Sequence, residues 1–515
     1  MLFPTMTFAV FFLIVLGVSW RLRAHPTPWK VFVLAASYVF YGWWDWRFLV
    51  LLAASQVANT ALGQGIARAT TVESRRWWVR GGVTFNLVLL GFFKYYGFFV
   101  ESLVALLKPV HLAPTGLLVK IGLPIGISFF TFCAISYLID LGREEIAPVG
   151  LLDLSVYMSF FPHLVAGPIV RASEFLPQLL IQPNPDAVDA TRGARLIARG
   201  LIKKVIVANY LAQTICDPVF GAPGAYHSID LIIAAYAYSV QIYADFSGYT
   251  DIAIGTALLM GVKFPENFDS PYAAVSIQDF WRRWHMTLSR WLRDYLYIPL
   301  GGNRDGVRKM YRNLFITMLL GGLWHGAQWT FVVWGAYHGI GLAIERIAVA
   351  RRLTPNAEKL ARTPRLEKLK AELGLESSVG EVPIIGDTEV ERDPTAEVMV
   401  PTFRERNPWF ARLWVFHFVT VGWIFFRSDS IRDAGTFIGR ALFSWGGPEL
   451  VNSAVLLLIV ASLLCQLLPK RVGLALEYRA SLLPPVVQGV GFAVILLAID
   501  ILGPQGVAPF IYFAF

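Results

Sequence analysis

Two histidines stand out as residues able to do chemistry in an otherwise greasy chain. His285 lies in Asp279 to Asn303, DFWRRWHMTLSRWLRDYLYIPLGGN, where charge and tryptophan crowd together. His325 lies in Gly321 to Trp329, GGLWHGAQW. An imidazole titrates near neutrality, so a neutral histidine in an apolar pocket can take a proton from a hydroxyl. Gly321, Gly322, Gly326 and Ala327 leave room around His325, with Trp324 and Trp329 as flat walls. These two histidines are the candidate catalytic residues.

Laid on one helix at about 100° per residue, the His285 segment puts Trp281, Leu288, Ser289 and Leu292 near His285 and turns Arg283, Arg290 and Asp294 away. The candidate substrate-binding residues are Trp324, Asp245, Asp279, Trp281, Arg282, Arg283, Trp284 and Ser289. The arginines suit the phosphates of a coenzyme or carrier arm; their other reading is anchoring at a membrane interface. His338 falls thirteen residues after His325, on the far side of a continuous helix, and takes a packing role; His163 and His417 lie in other segments. No pair among these has the i, i+4 spacing of a helical zinc site, so no metal is expected. Cys133, Cys216 and Cys465 match no metal spacing and are expected unpaired.

The elements that carry these residues belong in a membrane. Of 515 residues 56% are hydrophobic and only 16% charged, against about a quarter charged in soluble domains. The net charge of +9 is scattered between apolar segments, which excludes the dense basic patch of a nucleic-acid binder. No glycine run resembles a phosphate-binding loop. Met1 to Trp20 reads as an uncleaved first span, and Arg21, Arg23 and Lys30 behind it put the amino terminus outside. Val31 to Ile66 has basic clusters on both sides, so it must turn back, with the break at Trp43 to Arg47. Helices that short suit a thinned bilayer.

Further spans are expected at Val83 to Leu107, Ile121 to Leu141, Val205 to Phe220, Ile229 to Met260, Leu314 to Ile344, Pro408 to Phe426, Val451 to Leu468 and Leu483 to Ile501. Val149 to Val170 contains Pro162 and Pro168 and is expected to bend rather than cross. Arg192, Arg195, Arg199, Lys203 and Lys204 recur at helical spacing, as on a basic helix lying along the cytoplasmic surface. Asp245 and Asp251 sit at membrane depth, where carboxylates are functional or paired; the bland reading has them neutralise Arg282 and Arg283. The chain divides into a membrane core, 1–345, a charged cytoplasmic insertion, 346–407, and closing transmembrane helices, 408–515, with a surface helix over Ala357 to Leu373 and a loose connection over Gly380 to Pro401.

Several linked motifs carry a family resemblance. Tyr243 to Gly255 (YADFSGYTDIAIG), Glu266 to Tyr272 (ENFDSPY), Asp279 to His285 (DFWRRWH), Tyr297 to Gly302 (YIPLGG), Leu323 to Ala327 (LWHGA) and Gly422 to Arg427 (GWIFFR) resemble the signature run of the membrane-bound O-acyltransferases. The closest likeness is to the bacterial branch that acetylates alginate or transfers D-alanine to teichoic acid. The resemblance implies an all-α polytopic membrane fold, a ring of tilted transmembrane and re-entrant helices around a central tunnel. It also implies His325 as the catalytic histidine and His285 as the second active-site position. An acyl thioester donor, acetyl-coenzyme A or an acyl carrier protein, would enter from the cytoplasm, with no tightly bound cofactor. The expected partners are that donor, an extracytoplasmic acyltransferase or polysaccharide-modification protein, and the lipid bilayer, with no nucleic acid.

The function expected is O-acyl transfer, most simply acetylation of an exported polysaccharide such as alginate or cellulose. His325 would be the general base, and His285 would orient the acceptor or stabilise developing charge. D-alanyl transfer to teichoic acid is the neighbouring alternative. A transporter for a lipid-linked glycan would also need many spans and membrane-depth carboxylates, but the chain has no convincing internal repeat.

Overall fold

The computed structural model describes residues 1–110, 121–165, 167–181, 188–361 and 407–502. The expected loose connection at Gly380 to Pro401 lies outside these residues, as do residues 362–373 of the expected Ala357 to Leu373 helix. Helices make up the described chain, and no strand occurs among the described residues.

The broken hairpin near the amino terminus forms where charge placement requires it. Helices Pro26–Gly42 and Arg47–Arg68 flank a turn in which Trp43, Trp44 and Trp46 are exposed. Asp45 closes the turn on Arg47 at 2.6 Å. Val72–Leu107 is a longer apolar rod of 36 residues. It is interrupted by a π-turn at Gly91–Tyr95 that turns Lys94 and Tyr95 off the regular helical spacing. Among the described residues three helices, Arg47–Arg68, Val72–Leu107 and Pro408–Arg427, are long and apolar enough to cross a bilayer, and Met6–Leu22, Ile127–Gly142 and Val486–Ile499 are shorter apolar helices.

The proline-bearing segment bends as expected. Helix Leu151–Ser159 stops at Phe160, and a single turn, Phe161–Leu164, follows. The backbone N–H of Phe161 donates to Ser37 Oγ at 3.2 Å, which satisfies a buried group that the break would otherwise orphan.

At the centre runs Ser228–Leu259, a 32-residue helix buried along nearly its whole length. The helix Ala190–Leu201 packs on it through small residues at heptad spacing. A Cβ on Gly200 would meet the Gly248 carbonyl oxygen at 2.5 Å, and one on Gly255 would meet the Gly193 carbonyl oxygen at 2.6 Å. That backbone approach lets short ion pairs form across the seam. Lys204 pairs with Asp245 at 2.6 Å, both fully buried, and Asp251 holds Arg199 at 2.6 Å and Lys203 at 2.8 Å. The bland reading of the two carboxylates is therefore right in kind, with Lys204, Arg199 and Lys203 as pairing cations. The basic residues of the 192–204 stretch neutralise them, and only part of that stretch faces outward as a surface helix would. Arg192 does reach out, to Glu266 at 2.8 Å.

The segment expected as one span from Leu314 to Ile344 is a helical hairpin. Helix Val307–His325 ends at the histidine, Gly326 turns extended, and Trp329–Ala361 returns. The second helix passes through the compositional boundary at 345/346 without a break. Gly335 permits the close return, since a Cβ there would meet the Met318 carbonyl oxygen at 2.5 Å.

Candidate active site

The wheel drawn through His285 fails because the helix breaks at that residue. Helix Ile277–Arg283 ends at Trp284, His285 adopts the left-handed region with φ of 43°, and a new helix, Met286–Leu292, begins. A non-glycine residue in that region costs of order 1–3 kcal/mol and persists only where its surroundings hold it. Here the holding group is Asn267. Its backbone carbonyl accepts from Met286 N–H at 2.9 Å, and its side-chain Oδ1 accepts from Thr287 N–H at 3.2 Å and Thr287 Oγ at 2.9 Å. Thr287 Oγ also accepts from Ile169 N–H at 3.0 Å, tying the bent segment to the site.

His325 is positioned from its backbone. The last carbonyls of a helix have no partner within it. Lys94 Nζ donates to the Trp324 carbonyl, to the His325 carbonyl at 3.4 Å and to Ser128 Oγ at 3.2 Å. Tyr95 Oη donates to the Leu323 carbonyl at 3.0 Å. The π-turn thus delivers an amine and a hydroxyl to the negative end of the helix that carries the histidine.

The two imidazoles share one aromatic wall. Trp324 lies 6.0 Å from the His285 ring and 5.1 Å from the His325 ring, centroid to centroid. Trp334 and Phe426 each stand 5.1 Å from His325. Trp329 is not a wall: it is 54% exposed and hydrogen-bonds Ser102 instead. Gly322 and Gly326 leave no room for a substrate either, because Phe331 and Gly335 occupy their space; Gly321 alone of the three faces a cavity. The hairpin also moves His338. The break at Gly326 brings it to the near side, where its ring meets Trp334 at 4.9 Å and Trp281 at 5.2 Å.

A cavity of about 590 Å³ opens beside this cluster. His325, Trp281, Arg282 and Ser289 line it, as do Trp334, Arg293, Asp294, Tyr297, Arg304 and Arg346. His285, Trp324 and Trp284 are buried behind that lining, with His285 wholly inaccessible. Asp279 and Arg283 are engaged with each other at 2.8 Å, and Asp245 is committed to Lys204. The wheel was right that Ser289, Leu288 and Leu292 share a side, and wrong that Asp294 faces away, because a π-turn at Arg293–Tyr297 swings Asp294 into the cavity. Asp294 there holds Arg171 at 2.6 Å and Arg293 at 2.7 Å.

Sequence reasoning missed Lys94, Asn267 and Trp334. Lys94 had a visible signal, a lone cation in the apolar run GFFKYYGFF. Among the described residues no three His, Cys, Asp or Glu side chains gather closely enough to hold a metal ion.

An imidazole on the wall of a cavity lined by four guanidinium groups and one carboxylate suits proton removal beside an anionic substrate arm. Known proteins agree in kind. "Probable alginate O-acetylase AlgI" of Pseudomonas putida is 40% identical over 427 residues, 82% of this chain and 76% of that protein. "Peptidoglycan O-acetyltransferase" of Helicobacter pylori is 40% identical over 344 residues, 62% of this chain and 64% of that protein. "Teichoic acid D-alanyltransferase" of Streptococcus thermophilus is 29% identical over 249 residues, 46% of this chain and 60% of that protein. The family model described as MBOAT, membrane-bound O-acyltransferase family, matches residues 83–369, more than half the chain and the whole of the His285 and His325 region. This membrane protein therefore belongs to the membrane-bound O-acyltransferase family and is an O-acyltransferase.

Proposed function

We propose that the chain is a multi-pass protein of the cytoplasmic membrane that moves an acyl group, acetyl in the simplest case, from a cytoplasmic thioester towards hydroxyls of an exported polysaccharide. The observation that carries this reading is His325 on the wall of the arginine-lined cavity. The likeness to proteins named for acetylating alginate and peptidoglycan supports acetyl over D-alanyl and a surface glycan as acceptor.

The chemistry asks little of the protein beyond alignment and a base, since a thioester is already activated. The hydroxyl proton passes to His325, and the oxygen attacks the thioester carbonyl. The carbon–sulfur bond then breaks, and the departing thiolate takes the proton back. Arg282, Arg293, Arg304 and Arg346 offer the charge that a phosphate-bearing carrier arm needs. The acceptor is either the polymer itself or an extracytoplasmic partner that relays the group.

Mass spectrometry of surface polymers from a deletion strain tests the reading. Loss of O-acetyl groups, restored by the wild-type gene, is the expected outcome. Intact acetylation together with lost D-alanine would reassign the acyl group. Unchanged polymers, with a glycan carried across vesicles and no thioester consumed, would replace the enzyme reading with transport of a glycan.

A further inference from the structure

His285 has two ring nitrogens, and the hydrogen bond made by one decides what the other can do. Nδ1 lies 3.1 Å from Asn267 Oδ1. Which of these is the donor follows from a third group. The Thr287 backbone N–H can only donate, and it points at the same atom at 3.2 Å. That atom must be the amide oxygen, since the opposite amide orientation would set NH₂ against N–H. The Thr287 hydroxyl donates its single proton to the same oxygen while accepting from Ile169 N–H. An oxygen that only accepts requires the proton to sit on His285 Nδ1.

We propose that Asn267 is a positioning residue that locks His285 in its Nδ1-protonated tautomer and leaves Nε2 as a bare acceptor. Where the aromatic wall opens to let a substrate reach the buried Nε2, His285 takes a hydrogen bond from an O–H or N–H rather than giving one. It cannot donate from Nε2 to the oxyanion developing on the thioester carbonyl. Of its two expected roles, orientation survives and charge stabilisation does not. Two further observations fit. Nε2 is buried with no hydrogen-bonding partner among the described residues. The left-handed backbone at His285 is held by the same asparagine, through Met286 N–H and Thr287 N–H, so one residue fixes both the ring's place and its proton. Phe246, 4.7 Å away and edge-on, and Trp324 restrict ring rotation.

The role in catalysis rests on the acyl-transfer reading, whereas the tautomer does not, so the test separates them. Protein labelled with nitrogen-15 at histidine, in lipid bilayers, is compared by solid-state magnetic resonance with His285→Gln to assign the His285 signals. The wild type is expected to carry its proton on Nδ1, and Asn267→Asp, which keeps an acceptor, retains that pattern. Asn267→Leu is expected to lose it and to lower kcat between about 10-fold and 10⁴-fold, with the KM for the thioester unchanged. A wild-type proton on Nε2, or an unaltered tautomer in Asn267→Leu, overturns the proposal. Should Asn267→Leu not fold, the wild-type and Asn267→Asp spectra decide alone.

Discussion

Lys94 holds the end of the helix that carries His325. Its Nζ donates to the last two carbonyls of the histidine's own helix, so it sets where the backbone ends and hence where the imidazole stands. Lys94→Met keeps the aliphatic stem but frees those carbonyls. It is expected to lower kcat by up to about 10²-fold through misplacement of the base, with the thioester KM little changed; steady-state kinetics in membranes checks this. At this scale His325 itself was legible, because a histidine among small and apolar residues has few uses. Lys94 and Asn267 were not. Lys94 lies 231 residues from His325 and acts only through a fold that brings them together, and no local pattern records such a contact.

Elements in this protein meet at glycines, and the meetings carry the site. Ala190–Leu201 approaches Ser228–Leu259 so closely that the Lys204–Asp245 pair can form in the dry interior. Gly200→Val would drive a side chain into the Gly248 carbonyl and is expected to cost about 1–3 kcal/mol, read as a lowered midpoint of thermal unfolding in detergent. Lys204→Met removes the ammonium that pairs with the buried Asp245 carboxylate and is expected to cost about 3–5 kcal/mol. Adding Asp245→Asn should recover much of that loss; no recovery would mean that the pair is not what the lysine supports. The amino-terminal hairpin was legible because charges on both flanks forbid a single crossing. The breaks at His285 and Gly326 were not. Neither is marked by proline, and the periodicity argument assumes the very continuity that fails there. Both breaks occur at or beside the candidate catalytic histidines, where tertiary contacts override local preference.

On the whole-molecule scale the chain exposes apolar side chains that a soluble protein would bury, and encloses several polar ones within an aromatic core. Met6–Leu22 and Val72–Leu107 turn leucine, isoleucine and valine outward, while Lys204, Asp245, His285 and His325 are buried. The composition made that inversion legible from the start, but not the cavity, whose walls come from residues 278 to 346 folded back on one another. If the thioester enters from the cytoplasm, inside-out vesicles should consume added acetyl donor and sealed right-side-out vesicles should not; equal consumption by both would remove the sidedness. The central claim is that His325 removes the acceptor's proton. The direct measurement is acyl transfer by His325→Ala, reconstituted in bilayers and shown to match the wild type in thermal unfolding. The expected result is a fall of about 10²-fold to 10⁴-fold, and transfer at close to the wild-type rate would contradict the account.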